Sequence, residues 1–320
     1  MMKRIAVLTT GGDAPGMNPA IRSVVRCGVA HGLEVMGVFR GWFGLINEEL
    51  KVLSHNSVSG IINQGGTILK TGRCPEFARE ENQARAFNTV KKFGIDGLVV
   101  IGGNGSFTAA HKFGTKYNVP CVGIPASIDN DISGIDVTIG SDTAVNTALN
   151  AIDNIRDTAT SMERIFVVEV MGRDCGFIAL SVALAGGCED VIIPELKADM
   201  DKMYHDIVQG NIRGKVSWIV VVAEGAGKAA DIAKQITEAT DLETRAVVIG
   251  YVQRGGKPTA FSRDLALRLG EAAVGSLLKG EKDLAVGLCC GKVSSVDFAT
   301  AIQKKELKAE YWYNLIKTLT

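Results

Sequence analysis

The 320-residue chain carries 35 basic and 35 acidic residues, so its formal charge cancels, and 46% of it is hydrophobic. That balance describes a globular protein with room for two lobes, and it leaves no electrostatic footprint for nucleic acid or an anionic membrane. No stretch reaches the roughly 18 apolar residues of a membrane helix, and the first apolar run is too short for a signal peptide. Seven cysteines, odd in number and with no paired CxxC, predict reduced thiols and a cytoplasmic location.

"RIAVL" at 4–8 reads as a first strand, and Gly11 and Gly12 follow it. The stretch 16–32 is helical, with Ile21, Val24, Val25 and Val29 on one side. "LVVI" at 98–101 runs into Gly102 and Gly103, and "PCVGI" runs into "GIPASIDNDISG" at 123–134. A helix over 141–159 is predicted, with Ser141 or Asp142 as its N-cap. "IFVVEV" at 165–170 leads to Gly172, and "WIVVVA" at 218–223 leads to Gly225. Cys289 and Cys290 read as strand and loop packing. Strands that are apolar without alternation belong to sheets buried on both faces, usually parallel ones. The order strand, glycine turn, helix predicts an α/β fold of two doubly wound parallel-sheet lobes.

Ligands of such sheets sit at the carboxyl ends of the strands. Glycine lets the backbone approach a phosphate there, and the first N–H groups of the next helix point at it. "GGDAPG" at 11–16 has no Lys-Ser/Thr of a P-loop, and "GGNGS" at 102–106 has no GxGxxG spacing. Phosphate handling is therefore expected outside the two commonest fingerprints. Asp129 and Asp131 stand two apart after a strand, a pattern that suits a base and a metal-orienting carboxylate of a kinase. Arg73, Arg164, Arg173, Arg245 and Arg254 mostly adjoin strands or glycine turns, and predict a phosphorylated substrate beside a nucleotide.

"TTGGDAPGMN", "TGRCPEF", "IGGNGS", "SIDND", "MGRDCG", "VAEG" and "VQRGG" come in one order over almost the whole chain. In that order they resemble the bacterial ATP-dependent 6-phosphofructokinase family. The resemblance implies glycolytic phosphorylation of the 1-hydroxyl of fructose 6-phosphate by MgATP, on two-lobed subunits that form a homotetramer. It implies a larger ATP-binding lobe of 1–139 plus 252–302, a smaller sugar-phosphate-binding lobe of 140–251 plus 303–320, and a site in the cleft. Carried over, Asp129 is the general base, Gly12 a backbone donor to the transferring phosphate and Arg73 the stabiliser of its charge. Ser127 and Arg173 complete the catalytic set. Cys74 and the loop Gly103, Asn104, Gly105 and Ser106 match nucleotide positions; Asn104 and Asp131 match the Mg²⁺ site. Met171, Gly172, Arg173 and Glu224 match sugar contacts. Arg164 and Arg245 match a pair that reaches the 6-phosphate from a neighbouring subunit, with Arg254 another phosphate contact. Arg22, Arg26, Arg156, Glu189, Arg213 and Lys215 match an effector site for ADP or phosphoenolpyruvate.

The chain departs from the family at four places. Asn104 stands where aspartate is usual, and weaker metal placement is expected. Tyr251 replaces a histidine near the sugar phosphate, Ser127 a threonine, and His55 an arginine of the effector site. Gly105 and Ala126 stand where pyrophosphate-dependent relatives carry aspartate and lysine, so ATP is the expected donor. Two other readings remain: a kinase for another ketose phosphate such as tagatose 6-phosphate, and a weakly catalytic nucleotide-sensing paralogue.

Overall fold

The computed structural model describes residues 2–320. In chain order it holds β1 (Arg4–Thr9), α1 (Met17–Ala30), β2 (Glu34–Val38), α2 (Trp42–Ile46), β3 (Leu50–Leu53) and α3 (Glu80–Lys92). Then come β4 (Gly97–Gly102), α4 (Asn104–Tyr117), β5 (Cys121–Ser127), β6 (Ile139–Gly140) and α5 (Ser141–Met162). β7 (Ile165–Val170), α6 (Phe177–Ala185), β8 (Asp190–Ile192), α7 (Met200–Ile212), β9 (Trp218–Ala223), α8 (Ala229–Thr240) and β10 (Thr244–Val248) follow. The chain ends with α9 (Ala260–Leu278), β11 (Leu284–Cys289), β12 (Lys292–Asp297), α10 (Phe298–Ala301) and α11 (Ala309–Leu319). Two compact units result: the chain up to Thr143 with Arg254–Lys305, and Ala144–Gln253 with Glu306–Thr320.

The first unit is built on a sheet ordered β12-β11-β5-β4-β1-β2-β3, with β6 beside β5. Its inner pairs are parallel, as the unalternating apolar strands predict. Ala6, Leu8, Leu98 and Val100 bury one face beneath Trp42, Ala86, Phe107 and Phe113. Their neighbours Ile5, Val7, Val99 and Ile101 are also fully buried, on the opposite face because side chains alternate along a strand. The edges differ from the all-parallel expectation, since β3 and β12 run antiparallel to β2 and β11. For β12 the cause is local. Cys290 and Gly291 both take positive φ (52° and 75°) in a two-residue turn, and so tight a turn returns the chain antiparallel. Cys289 therefore ends a strand, but Cys290 is exposed at the turn and not packed.

The second unit carries a wholly parallel sheet, ordered β10-β7-β9-β8. Val167, Val220 and Val222 meet Met203 and Ile207 of α7 and Ile232 and Ile236 of α8 in one core. The helix predicted at 141 begins with Ser141 itself, straight after β6, so Ser141 and Asp142 lie inside it and not at its N-cap. Ser141 Oγ donates to Thr138 O (2.8 Å), and Asp142 Oδ2 accepts from Thr259 Oγ1 (2.5 Å). Among the described residues no helix is long and apolar enough to cross a membrane.

Candidate active site

In the first unit β5, β4 and β1 are neighbours in the sheet, so their carboxyl ends lie side by side. Thr10 N donates to Ile101 O (3.0 Å) and Ser106 Oγ to Thr10 O (2.9 Å), which stitches the turn after β1 to the start of α4. A Cβ on Gly102 would stand 2.4 Å from Ser106 Oγ and 2.5 Å from Thr10 O, so only glycine permits that approach. α4 begins at Asn104, and its first backbone N–H groups open towards this end of the sheet. Gly11 N donates to Gly72 O (3.1 Å) and Thr71 Oγ1 to Gly11 O (3.1 Å), which brings in the segment of Arg73 and Cys74. The Cys74 thiol is pushed up to about 11 by burial and by Glu76. Arg254 lies against Gly12: its Nη1 is 2.7 Å from where a Cβ there would be, and it donates to Asp13 O (3.2 Å).

The acid pair stands beyond β5. Asp129 is 3% exposed, and its N–H donates to Ser127 Oγ (3.2 Å). Asn130, in the left-handed region at φ 53°, accepts from Thr138 N (3.0 Å) and so shapes the turn between the two aspartates. Asp131 is held from two sides. Asn104 Nδ2 donates to its Oδ2 (2.9 Å) and to its O (3.1 Å), and Ser127 Oγ donates to its Oδ1 (3.4 Å). Asn104 Oδ1 is buried with no hydrogen-bond partner among the described residues. An orphaned amide oxygen beside a carboxylate is a hard-oxygen donor set that fits Mg²⁺ when nucleotide phosphates and water complete the shell. Among the described residues no group of three or more His, Cys, Asp or Glu gathers to hold a metal without such help.

In the second unit the turn Met171–Arg173 follows β7. Gly172 has φ 141° and Arg173 φ 51°. Glu224 Oε1 accepts from Gly172 N (3.3 Å) and Arg173 N (2.9 Å), while Met171 N donates to Gln253 Oε1 (2.8 Å). Arg164 precedes β7 and Arg245 is the second residue of β10, whose strands are paired in parallel. Both arginines converge on one carboxylate: Arg164 Nε is 3.0 Å from Glu243 Oε2, and Arg245 pairs with Oε1 of the same residue. This arginine pair and the Met171–Arg173 turn therefore lie at opposite ends of β7. Seven residue steps in extended chain span roughly 20 Å, too far for one sugar phosphate to touch both ends within a single copy.

The model of the phosphofructokinase family matches residues 4–277. The chain belongs to that family. It is 52% identical over 301 residues to the ATP-dependent 6-phosphofructokinase of Clostridium acetobutylicum, covering 94% of each chain. The same-named protein of Bacillus pumilus is 51% identical over 319 residues, covering 100% of each. Among solved structures, phosphofructokinase from Saccharomyces cerevisiae superposes with a TM-score of 0.90 at 33% identity. That match covers 99% of this chain and 48% of the yeast one, so the chain spans about half of it.

Of the effector residues expected in this phosphofructokinase, three gather in the second unit. Glu189, 5% exposed, lies 3.1 Å from Lys215 Nζ and 3.7 Å from Arg156 Nη1, and accepts from Ile219 N (2.7 Å). Arg156 also donates to Gly186 O (2.6 Å) and Gly187 O (2.8 Å). Arg213 caps the C-terminus of α7, two residues before Lys215. Arg22 and Arg26 lie on α1 of the first unit, where Arg22 donates to Val58 O (2.8 Å) and is lowered by burial and by Arg26. His55 precedes a short helical turn at Asn56–Val58. Tyr251 is 81% exposed. Two residues without a role in the sequence reading hold site segments, Glu243 and Gln253. Glu243 stands two residues before Arg245, just ahead of β10; in extended chain that spacing puts two side chains on one face, and it was the available signal for Glu243. Gln253 had no such signal, because its partner Met171 is 82 residues away.

Proposed function

We propose that this phosphofructokinase transfers the terminal phosphoryl group of ATP to the 1-hydroxyl of fructose 6-phosphate, giving fructose 1,6-bisphosphate and ADP in the cytoplasm. The observation that carries the reading is the meeting of three strand ends, which gathers Gly12, the Gly103–Ser106 turn and the Ser127–Asp131 turn in one unit. The full-length kinship to ATP-dependent enzymes supports the donor. So does Gly105, where an added Cβ meets nothing within 4 Å and a nucleotide has room.

In this mechanism Asp129 takes the proton of the 1-hydroxyl as its oxygen attacks the γ-phosphorus, and the bridging oxygen leaves with ADP. Asp129 is buried at the carboxyl end of β5, where a positioned carboxylate can take that proton. The Gly12 N–H and the Arg73 guanidinium stabilise the charge on the transferring group. Ser127 orients Asp129 through its backbone N–H. Asp131 and Asn104 Oδ1 would hold Mg²⁺, which when bound neutralises phosphate charge. Cys74 and Gly103–Ser106 bind the nucleotide. Met171, Gly172, Arg173 and Glu224 bind the sugar, and Arg254 and Tyr251 its phosphate side.

Arg164 and Arg245 serve the site of another copy, because they stand at the wrong end of β7 for their own. That requirement supports the homotetramer. The cluster of Arg156, Glu189 and Lys215 in the second unit, with Arg213 two residues before Lys215, binds the effector, ADP or phosphoenolpyruvate; Arg22 and Arg26, on the first unit, are assigned the same role by their match to the family. A second reading, a weakly catalytic nucleotide sensor, has one observation in its favour: the Asn104 amide already occupies Asp131. Kinetics separate the two. Turnover in the usual enzymatic range of ~1–10³ s⁻¹ supports the kinase, and ATP binding with turnover a hundredfold or more below it supports the sensor.

A further inference from the structure

The turn Met171–Arg173 is held by side chains where regular structure would use backbone partners. β7 ends at Val170, and the next three N–H groups donate to Gln253 Oε1 and to Glu224 Oε1. The turn has little freedom otherwise. A Cβ on Gly172 would stand 2.5 Å from Cys175 O, and one on Gly225 would stand 2.1 Å from Arg173 O. Glu224 has an evident second use, because Oε1 alone makes the two contacts and Oε2 is left for a sugar hydroxyl. Gln253 has none at the surface: it is 0% exposed, between the exposed Val252 and the half-buried Arg254.

A buried amide is a costly choice at such a position. Gln253 Nε2 has no hydrogen-bond partner among the described residues, and an unmet buried donor is destabilising. A methionine would fill the volume without that cost. What the amide alone provides is the acceptor for Met171 N. Resting on the kinase reading above, we infer that Gln253 is a positioning residue for sugar-phosphate recognition. Its amide ties the short helical segment Gly250–Arg254, which carries Tyr251, to the turn that carries Met171 and Arg173. The two sugar-side segments then keep a fixed separation, and neither needs to be ordered when the ligand arrives.

The test compares Gln253→Met, which keeps the volume and removes the acceptor, with Gln253→Glu, which keeps an acceptor oxygen. A merely structural role would lower thermal stability and affect both substrates alike. The positioning role predicts that Gln253→Met raises KM for fructose 6-phosphate about tenfold or more, in keeping with an orphaned buried donor at Met171. KM for MgATP stays within about twofold, and Gln253→Glu recovers most of the loss. Amide exchange at Met171 supplies a readout that needs no substrate: protection is lost in Gln253→Met and kept in Gln253→Glu. An unchanged sugar-phosphate KM in Gln253→Met, or a parallel rise in both KM values, overturns the inference. If the parent chain does not phosphorylate fructose 6-phosphate, the kinase reading fails separately. The tie between Gln253 and Met171 is then judged on exchange, and unchanged protection in Gln253→Met overturns it.

Discussion

Asn104→Asp tests whether the amide substitutes for a metal's charge. In the parent, Asn104 Nδ2 donates to Asp131 Oδ2 at 2.9 Å, a hydrogen bond to a carboxylate worth about 1.5–3 kcal/mol. Aspartate at 104 would replace that bond with two carboxylates at about the same separation. At an effective dielectric of about 20 their repulsion is roughly 5 kcal/mol before relaxation, and proton uptake by one of them relieves part of it. The metal-free variant is therefore expected to lose about 2–4 kcal/mol of stability. Its melting point falls several degrees, at roughly 2–4 °C per kcal/mol. The folded variant holds the shared proton more tightly than the unfolded chain does, so the deficit shrinks as pH falls from 7 towards 5. Mg²⁺ with ATP supplies the missing positive charge and reverses the deficit, while the parent's melting point responds less. Scanning calorimetry in chelator and in Mg²⁺, with and without ATP, reads all of this. A variant that melts with the parent in chelator and gains nothing from Mg²⁺ refutes the reasoning. If the missing charge also limits turnover, the same variant gains about a hundredfold in kcat, ~2.7 kcal/mol of barrier.

Other outcomes follow from the same geometry. Asp129→Asn removes the proposed base and should lower kcat by about 10²–10⁴-fold with KM for ATP nearly unchanged, read by steady-state kinetics. Mixing Asp129→Asn with Arg245→Ala subunits after partial dissociation should restore some activity, because each lacks a residue the other supplies; no recovery in proven hybrids contradicts a shared site. Alkylation at pH 8 followed by peptide mapping should label the exposed Cys290 first, spare Cys74, whose thiol is pushed up to about 11 by burial, and reach the buried Cys121 and Cys188 only on unfolding. Lys317 Nζ lies 2.5 Å from the buried Asp190. Lys317→Met should therefore cost about 3–5 kcal/mol. Burial holds the Asp190 carboxyl above its usual value, so protonation favours the folded state and the variant's deficit is largest near pH 7 and shrinks as pH falls towards 4.

The fold was legible where burial is two-sided. Apolar runs such as Val99–Ile101 and Val220–Val222 could only be interior strands, and the glycines after them marked the ligand-bearing ends. The antiparallel edges were not legible. β3 has two exposed residues out of four and β12 four out of six, so neither carries the continuous apolar run that identified the others. The candidate site residues stood out because they sit in short motifs whose chemistry is local. Relations between motifs escaped. Nothing in "VQRGG" says that its glutamine turns inward to the backbone of Met171. Nothing in "GGNGS" says that its amide nitrogen would donate to the Asp131 carboxylate, because that depends on β4 and β5 lying side by side.

The central claim is the reaction itself. The most direct measurement incubates the chain with ATP, Mg²⁺ and fructose 6-phosphate, and quantifies ADP and the sugar product by mass and phosphorus NMR, with pyrophosphate as the alternative donor. The account predicts one fructose 1,6-bisphosphate per ADP and negligible transfer from pyrophosphate. ADP release without bisphosphate, or faster transfer from pyrophosphate, would contradict it.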